Sequence, residues 1–343
     1  MIEVPYDFPG AVTYHKYSNV ENRIRQFSDY EILGKDASGE YDMYVIKLGN
    51  PNKPAILITA GVHGVEWQST EYSLSAFQML ENDTYPDSEF RDQLLNDFYL
   101  IYMPCLNPWG LDNLTDTKAP TIRAYYRNSN HVDINRDFVN QTQAETLHVM
   151  DVVERFDPFA HMDLHLFQPN GGIGLEGYDL IMGTEIEQTQ SNMHNIANAL
   201  EEYTGYEVNR WDIQPERHHM VRGSTTFRKN QFTGTTMTFL SEIERPDSHT
   251  NQAVSDAQIY EWGNAFLYIF FKEAIEYYMV NSQGTGSVEV IETPTKTIRV
   301  QRDSTGVTES ITEEFKTGRT LKSTLTRNVN GEVIYIDKEI LSE

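Results

Sequence analysis

Between residues 41 and 250, short apolar runs alternate with segments whose apolar positions recur at helical spacing. Residues 44–48, 55–59, 98–103, 160–166 and 237–243 are short apolar runs, some interleaved with polar residues, and each reads as a strand of a sheet covered on both faces. Between them, 67–80, 144–156 and 185–203 carry apolar residues at the spacing of a helix. Such alternation predicts an α/β fold: a mixed, mostly buried central sheet with helices on both faces. A long aromatic-rich helix is predicted over 253–279, closing that domain.

The pattern then changes. Asn281-Ser282-Gln283-Gly284-Thr285-Gly286 has the composition of a linker. After it, 288–291, 297–301, 321–327 and 332–336 read as short Thr- and Val-rich strands, with Asn330-Gly331 as a type I′ hairpin signal. The expectation is a first domain over 1–280 and a small C-terminal antiparallel β appendage over 287–343.

Composition narrows the function classes. With 39% hydrophobic and 12% aromatic residues in 343, the chain can bury a large core. Its 27 Lys+Arg against 51 Asp+Glu give a formal net charge of −24, a field that repels phosphate backbones and anionic lipid. Neither nucleic acid nor a membrane surface is therefore an expected partner. A single cysteine, Cys105, excludes an internal disulfide, and its apolar surroundings mark it as a core residue. The first residues lack a basic stretch followed by an apolar one, and no apolar run reaches the roughly 20 residues that span a bilayer. The expectation is a soluble, cytoplasmic protein.

The chemistry-bearing residues cluster at predicted strand ends. The run 55–60 leads into Gly61-Val62-His63-Gly64-Val65-Glu66-Trp67, then a helix. This places His63 at the strand end and Glu66 in the first turn, both beside the carboxyl edge where open α/β sheets hold ligands. Imidazole and carboxylate are ordinary zinc ligands, and a catalytic zinc takes about three protein ligands with one position left for water. The third comes from Ala160-His161-Met162-Asp163-Leu164-His165-Leu166, where alternation puts His161, Asp163 and His165 on one face. His165 lies furthest along and is the candidate ligand; Asp163 is a candidate supporting group, and His161 has a structural role. A further cluster, Arg127-Asn128 with Val132-Asp133-Ile134-Asn135-Arg136-Asp137-Phe138, carries two guanidinium forks suited to carboxylates or an oxyanion.

In this order, with Asn107-Pro108-Trp109-Gly110 between the first and third clusters, these segments resemble the zinc carboxypeptidase family, which includes the succinylglutamate desuccinylase and aspartoacylase branch. The likeness spans about residues 10–280. It implies one zinc ion on His63, Glu66 and His165, Arg127 stabilising an oxyanion, and Asn135 with Arg136 holding the substrate's terminal carboxylate. It also implies a catalytic glutamate at a late strand end. Glu242 and Glu244 share one face of 236–246, and the family's Thr-x-Glu ending favours Glu242. The expected activity is a metallocarboxypeptidase: a zinc-dependent hydrolase cutting an amide bond beside a free carboxylate, on peptide or acyl-amino-acid substrates.

One departure stands out: the stretch 217–227 lacks the tyrosine that carboxypeptidases carry there, and His218 or His219 stands in for it or the contact is missing. Two alternatives stay open, an N-acyl-amino-acid deacylase on the same scaffold and a non-catalytic structural or binding component, for example of a viral particle. Arg210, Arg217, Arg222, Arg228 and Lys229 form a basic island in an acidic chain. A solvated loop is its plainer reading; a preference for acidic substrates is the functional one.

Overall fold

The computed structural model describes residues 2–114, 125–167, 180–183, 190–211, 237–244 and 254–282, and the strands between 288 and 342; for 180–183, 211 and all residues from 280 onward, it describes the backbone alone. The chain divides into two compact units, Met1–Ala274 and Ile275–Glu343.

Among the described residues of the first unit, eight strands form one sheet: β1 (Tyr30–Lys35), β2 (Asp42–Gly49), β3 (Ala55–Ala60), β4 (Tyr99–Met103), β5 (Ala160–Phe167), β6 (Leu180–Gly183), β7 (Val208–Trp211) and β8 (Met237–Glu244). Their order is β1-β2-β4-β3-β5-β8-β6-β7. The four central strands, β4, β3, β5 and β8, run parallel; β2 and β6 flank them antiparallel. Residue for residue, β3, β5 and β8 are buried; β3 is a near-continuous apolar run, whereas β5 and β8 interleave their apolar residues with polar ones that are buried as well.

Helices cover both faces. Among the described residues they include α1 (Tyr17–Ile24), α2 (Trp67–Glu81), α3 (Ser88–Asp97), α4 (Pro108–Asp112), α5 (Ala144–Phe156) and α6 (Gln190–Thr204). A seventh, α7, covers Asp256–Ser282. Strand alternation divides the core in two. Met43, Val45, Leu57, Ile101 and Met103 pack with Val149, Val152 and Val153 of α5. On the other face Tyr102 stacks on Phe77 of α2, 4.1 Å between centroids, and Phe239 meets Phe270 of α7 edge-on. Truncating one such buried side chain to alanine costs about 2–5 kcal/mol. Gly263 lets α7 close on α2, since a Cβ there would lie 2.5 Å from the Tyr72 ring.

The mixed, buried sheet with helices on both faces is the fold the hydrophobic pattern predicts. The helix predicted from 185 is described from Gln190, and the one predicted to end at 279 continues to Ser282, past the start of the expected linker. Cys105 is buried in the core, and burial pushes its thiol up to about 12.

In the second unit, β9 (Val288–Glu292), β10 (Lys296–Arg302), β11 (Thr308–Phe315), β12 (Thr320–Arg327) and β13 (Val333–Ser342) form an antiparallel sheet in consecutive order. β12 pairs with β13 up to Arg327 opposite Val333, while the Asn330-Gly331 turn itself lies outside the described residues. β11 carries no apolar run and has no counterpart in the sequence reading.

Candidate metal centre

The site forms where β3 ends. Gly61 turns the chain with φ +63°, a left-handed conformation that favours glycine, and a Cβ there would lie 2.6 Å from Thr70 Oγ1. His63 follows in extended conformation and caps a single 3₁₀ turn, Gly64–Glu66, that leads into α2. A Cβ at Gly64 would run into the backbone of Gly110 and Leu111, so the turn rests directly on α4. That helix is held in turn by the N-terminal arm. Tyr14 Oη donates to Leu111 O at 2.8 Å, Lys16 Nζ donates to Asp112 O, and Tyr17 N donates to Asp112 Oδ1 at 2.7 Å.

His63, Glu66 and His165 converge: one ligand atom from each lies within 4.8 Å of the others, and all three side chains are buried. Glu66 sits between the imidazoles. Its Oε1 is 2.7 Å from His63 Nδ1, and its Oε2 is 3.1 Å from His165 Nδ1 and accepts from Leu166 N at 3.1 Å. Each ring turns its far nitrogen to a carboxylate, His165 Nε2 to Asp163 Oδ2 at 2.8 Å and His63 Nε2 to Asp133 Oδ1 at 3.4 Å. Two imidazole nitrogens and one carboxylate, each ring backed by a carboxylate, are the donor chemistry of a zinc site with a place left for water.

The electrostatics follow from burial and charge. Burial disfavours the ionised form of each group, but the mutual contacts win for these three. Glu66 is held well below the usual carboxylate range by His63 and His165. His63 and His165 are lifted above the usual imidazole range by Glu66 and by their backing aspartates.

Glu242 behaves in the opposite way. The parallel register of β5 and β8 sets it directly beside His165, with Glu244 two residues on beside Phe167. Burial raises its carboxyl to about 7; His165 lowers it and Glu66 raises it. Register therefore separates two glutamates that alternation alone leaves equivalent.

The polar segment is less tightly drawn in. Asn135 is buried in the 3₁₀ turn Ile134–Arg136, which Asp133 caps by accepting from Asn135 N at 3.0 Å. Arg136 is half-buried and donates to Asn135 O at 2.8 Å. Arg127 is exposed and donates to His131 O at 3.0 Å. Two residues at the centre carry no clear mark in the sequence. Asp133 is signalled only by its place before the short turn Ile134–Arg136. Tyr126 stacks on His63, 3.7 Å between centroids with 18° between planes, and no periodicity announces it. Of the basic island, Arg210 pairs with Glu201 at 2.8 Å and bonds Asn198 at 2.6 Å, while Arg217, Arg222, Arg228, Lys229, His218 and His219 lie outside the described residues.

A buried three-residue group able to hold one metal ion, beside the parallel strands of a mixed sheet, is thus the class of site. Residues 14–162 match the profile of the zinc carboxypeptidase family (Peptidase_M14), so the family resemblance carried by the sequence motifs holds. Carboxypeptidase D of Mus musculus is 25% identical over 177 residues, which cover 46% of this chain and 13% of that protein; human carboxypeptidase D is 24% identical over the same length. The chain thus spans only a small part of the curated relatives it matches. Among solved structures, bovine thrombin-activatable fibrinolysis inhibitor, in complex with tick carboxypeptidase inhibitor, aligns with TM-score 0.59 at 14% identity, over 77% of this chain and 98% of that one. A metallo-carboxypeptidase from Burkholderia cenocepacia aligns with TM-score 0.58 at 14% identity, over 76% and 69%. At these identities the likeness establishes the fold. The cofactor indicated by donor set and family match together is one zinc ion. Among the described residues, no helix is long and apolar enough to cross a membrane.

Proposed function

We propose that the chain is a zinc-dependent hydrolase that cleaves an amide bond beside a free carboxylate, most simply as a metallocarboxypeptidase, with 1–280 as its catalytic domain and 287–343 as a separate small β domain. The observation that carries this reading is the buried convergence of His63, Glu66 and His165, with strand register setting Glu242 directly beside His165.

His63, Glu66 and His165 would hold the zinc. When bound, the ion supplies Lewis acidity, making water a nucleophile near neutral pH and polarising the scissile carbonyl. The protein's own groups do the rest. Glu242 takes a proton from the attacking water and returns it to the departing amine; a carboxyl poised near 7 suits both transfers. Arg127 swings from its carbonyl contact to the developing oxyanion. Asn135 and Arg136 fix the free carboxylate and so choose which amide is presented. A finer proposal, preference for acidic substrates, rests on Arg217, Arg222, Arg228 and Lys229, since Arg210 is already committed to Glu201.

Elemental analysis for zinc, together with hydrolysis of blocked dipeptides and acyl amino acids, tests the reading. The expected result is one zinc per chain and release of C-terminal residues. Cleavage of acyl amino acids without peptides selects the deacylase instead. A metal-free, inactive protein that co-purifies with a large assembly selects a structural component.

A further inference from the structure

The face of the sheet beneath the metal centre carries a row of polar side chains where an apolar core is the norm. Thr59 on β3 pairs with Asp163 on β5, His161 lies two residues back on the same face, and all three are fully buried. They are joined. His161 Nε2 is 2.9 Å from Thr59 Oγ1, Thr59 Oγ1 donates to Asp163 Oδ1 at 2.6 Å, and Asp163 Oδ2 is 2.8 Å from His165 Nε2. Buried polar groups are costly unless fully bonded, so such a row calls for a reason.

Proton counting gives the row a direction. A threonine hydroxyl has one proton, and at 2.6 Å that proton goes to the Asp163 carboxylate. The Thr59 oxygen then accepts the Nε2–H of His161. With one Asp163 oxygen tied to Thr59, the other accepts the Nε2–H of His165, which leaves Nδ1, the nitrogen facing Glu66, as the ligating atom. We infer that Thr59 and His161 are positioning residues, a buried relay that fixes the Asp163 carboxylate and through it the orientation of the His165 donor. The inference rests on the metal reading above and concerns residues that touch neither substrate nor metal.

Zinc affinity, read by competition with a chromophoric chelator, tests it without relying on turnover. Thr59→Val keeps shape and removes the hydroxyl; affinity is expected to fall roughly 10–100-fold, the usual effect of removing support behind a ligand. Thr59→Ser keeps the hydroxyl and is expected to bind zinc like the parent chain, a rescue that loss of packing would not give. His161→Leu, which leaves Thr59 bonded to Asp163 alone, is expected to fall between the two, and it decides the matter if Thr59→Val does not fold. Parent-like affinity in folded Thr59→Val, or in folded His161→Leu, overturns the relay, as does equal loss in Thr59→Ser and Thr59→Val. Absence of zinc from the parent chain is a different outcome: it sinks the metal reading itself, and the relay with it.

Discussion

Around His63, Glu66 and His165 the side chains are buried and bonded to one another or to the groups behind them at 2.6–3.4 Å, whereas Arg127 and Arg136 in the neighbouring segment rest on backbone carbonyls, one exposed and one half-buried. Water cannot correct a misplaced charge inside the core, so the first group has to be right once the chain is folded. A solvent-facing guanidinium keeps its hydration and rotamer freedom until an anion arrives. On the proposed reading the metal end is set by folding and the carboxylate end by substrate, and substitutions on the two sides are expected to fail differently.

The largest effect is expected at the join. Glu242→Gln should lower turnover by about 10²–10⁴ while zinc content stays at one per chain, the range that general acid–base groups contribute. Near-parental rates in this variant, with the loss appearing in Glu244→Gln, would move the base one alternation along β8. Arg127→Gln comes next: kcat down by about 10²–10³ with KM little changed, since an oxyanion donor acts in the transition state. Arg136→Gln should do the reverse, raising KM roughly 10–100-fold for the loss of a charged hydrogen bond of about 1.5–3 kcal/mol. Equal losses of kcat in both arginine variants would erase the distinction between their roles.

The smallest effect concerns stability. The folded-state carboxyl of Glu242 titrates at about 7, above its ordinary value of 4.5. Its contribution is therefore fully present below the ordinary value and lost as pH rises through about 7. Metal-free protein should lose stability over that window, and Glu242→Gln should lose less, the remaining fall coming from the raised imidazoles of His63 and His165. Thermal unfolding of the two metal-free proteins would show the variant a few degrees ahead above pH 7, with the gain closing as pH falls toward 4.5. A gap that does not change with pH would refute buried charge as its origin.

Much of this could be read from sequence because the metal side is encoded locally. A two-residue period along 160–166 put His161, Asp163 and His165 on one face, and a glycine-flanked turn put His63 and Glu66 at one strand end. Long-range facts were not legible. Glu242 and Glu244 have the same parity, and only pairing with β5 places Glu242 beside His165. The aspartate behind His63 comes from 70 residues away, and the stacking of Tyr126 depends on how a loop folds back. Thr-Glu-Ser-Ile-Thr-Glu-Glu-Phe, the β11 segment, offers too few apolar residues to declare a strand, and β6 and β7 at four residues each are too short to show a period.

The contact between Gly64 and α4 has a mechanical consequence. Because Tyr14, Lys16 and Tyr17 grip α4, and α4 meets the turn with no side chain between them, the opening seventeen residues brace a metal donor they never touch. Loosening that grip with Tyr14→Phe and Lys16→Ala, which spares the buried Phe8, Val12 and Tyr17, is expected to reach His63 through the helix as slack, so that added zinc is lost to a chelator faster while the sheet stays intact.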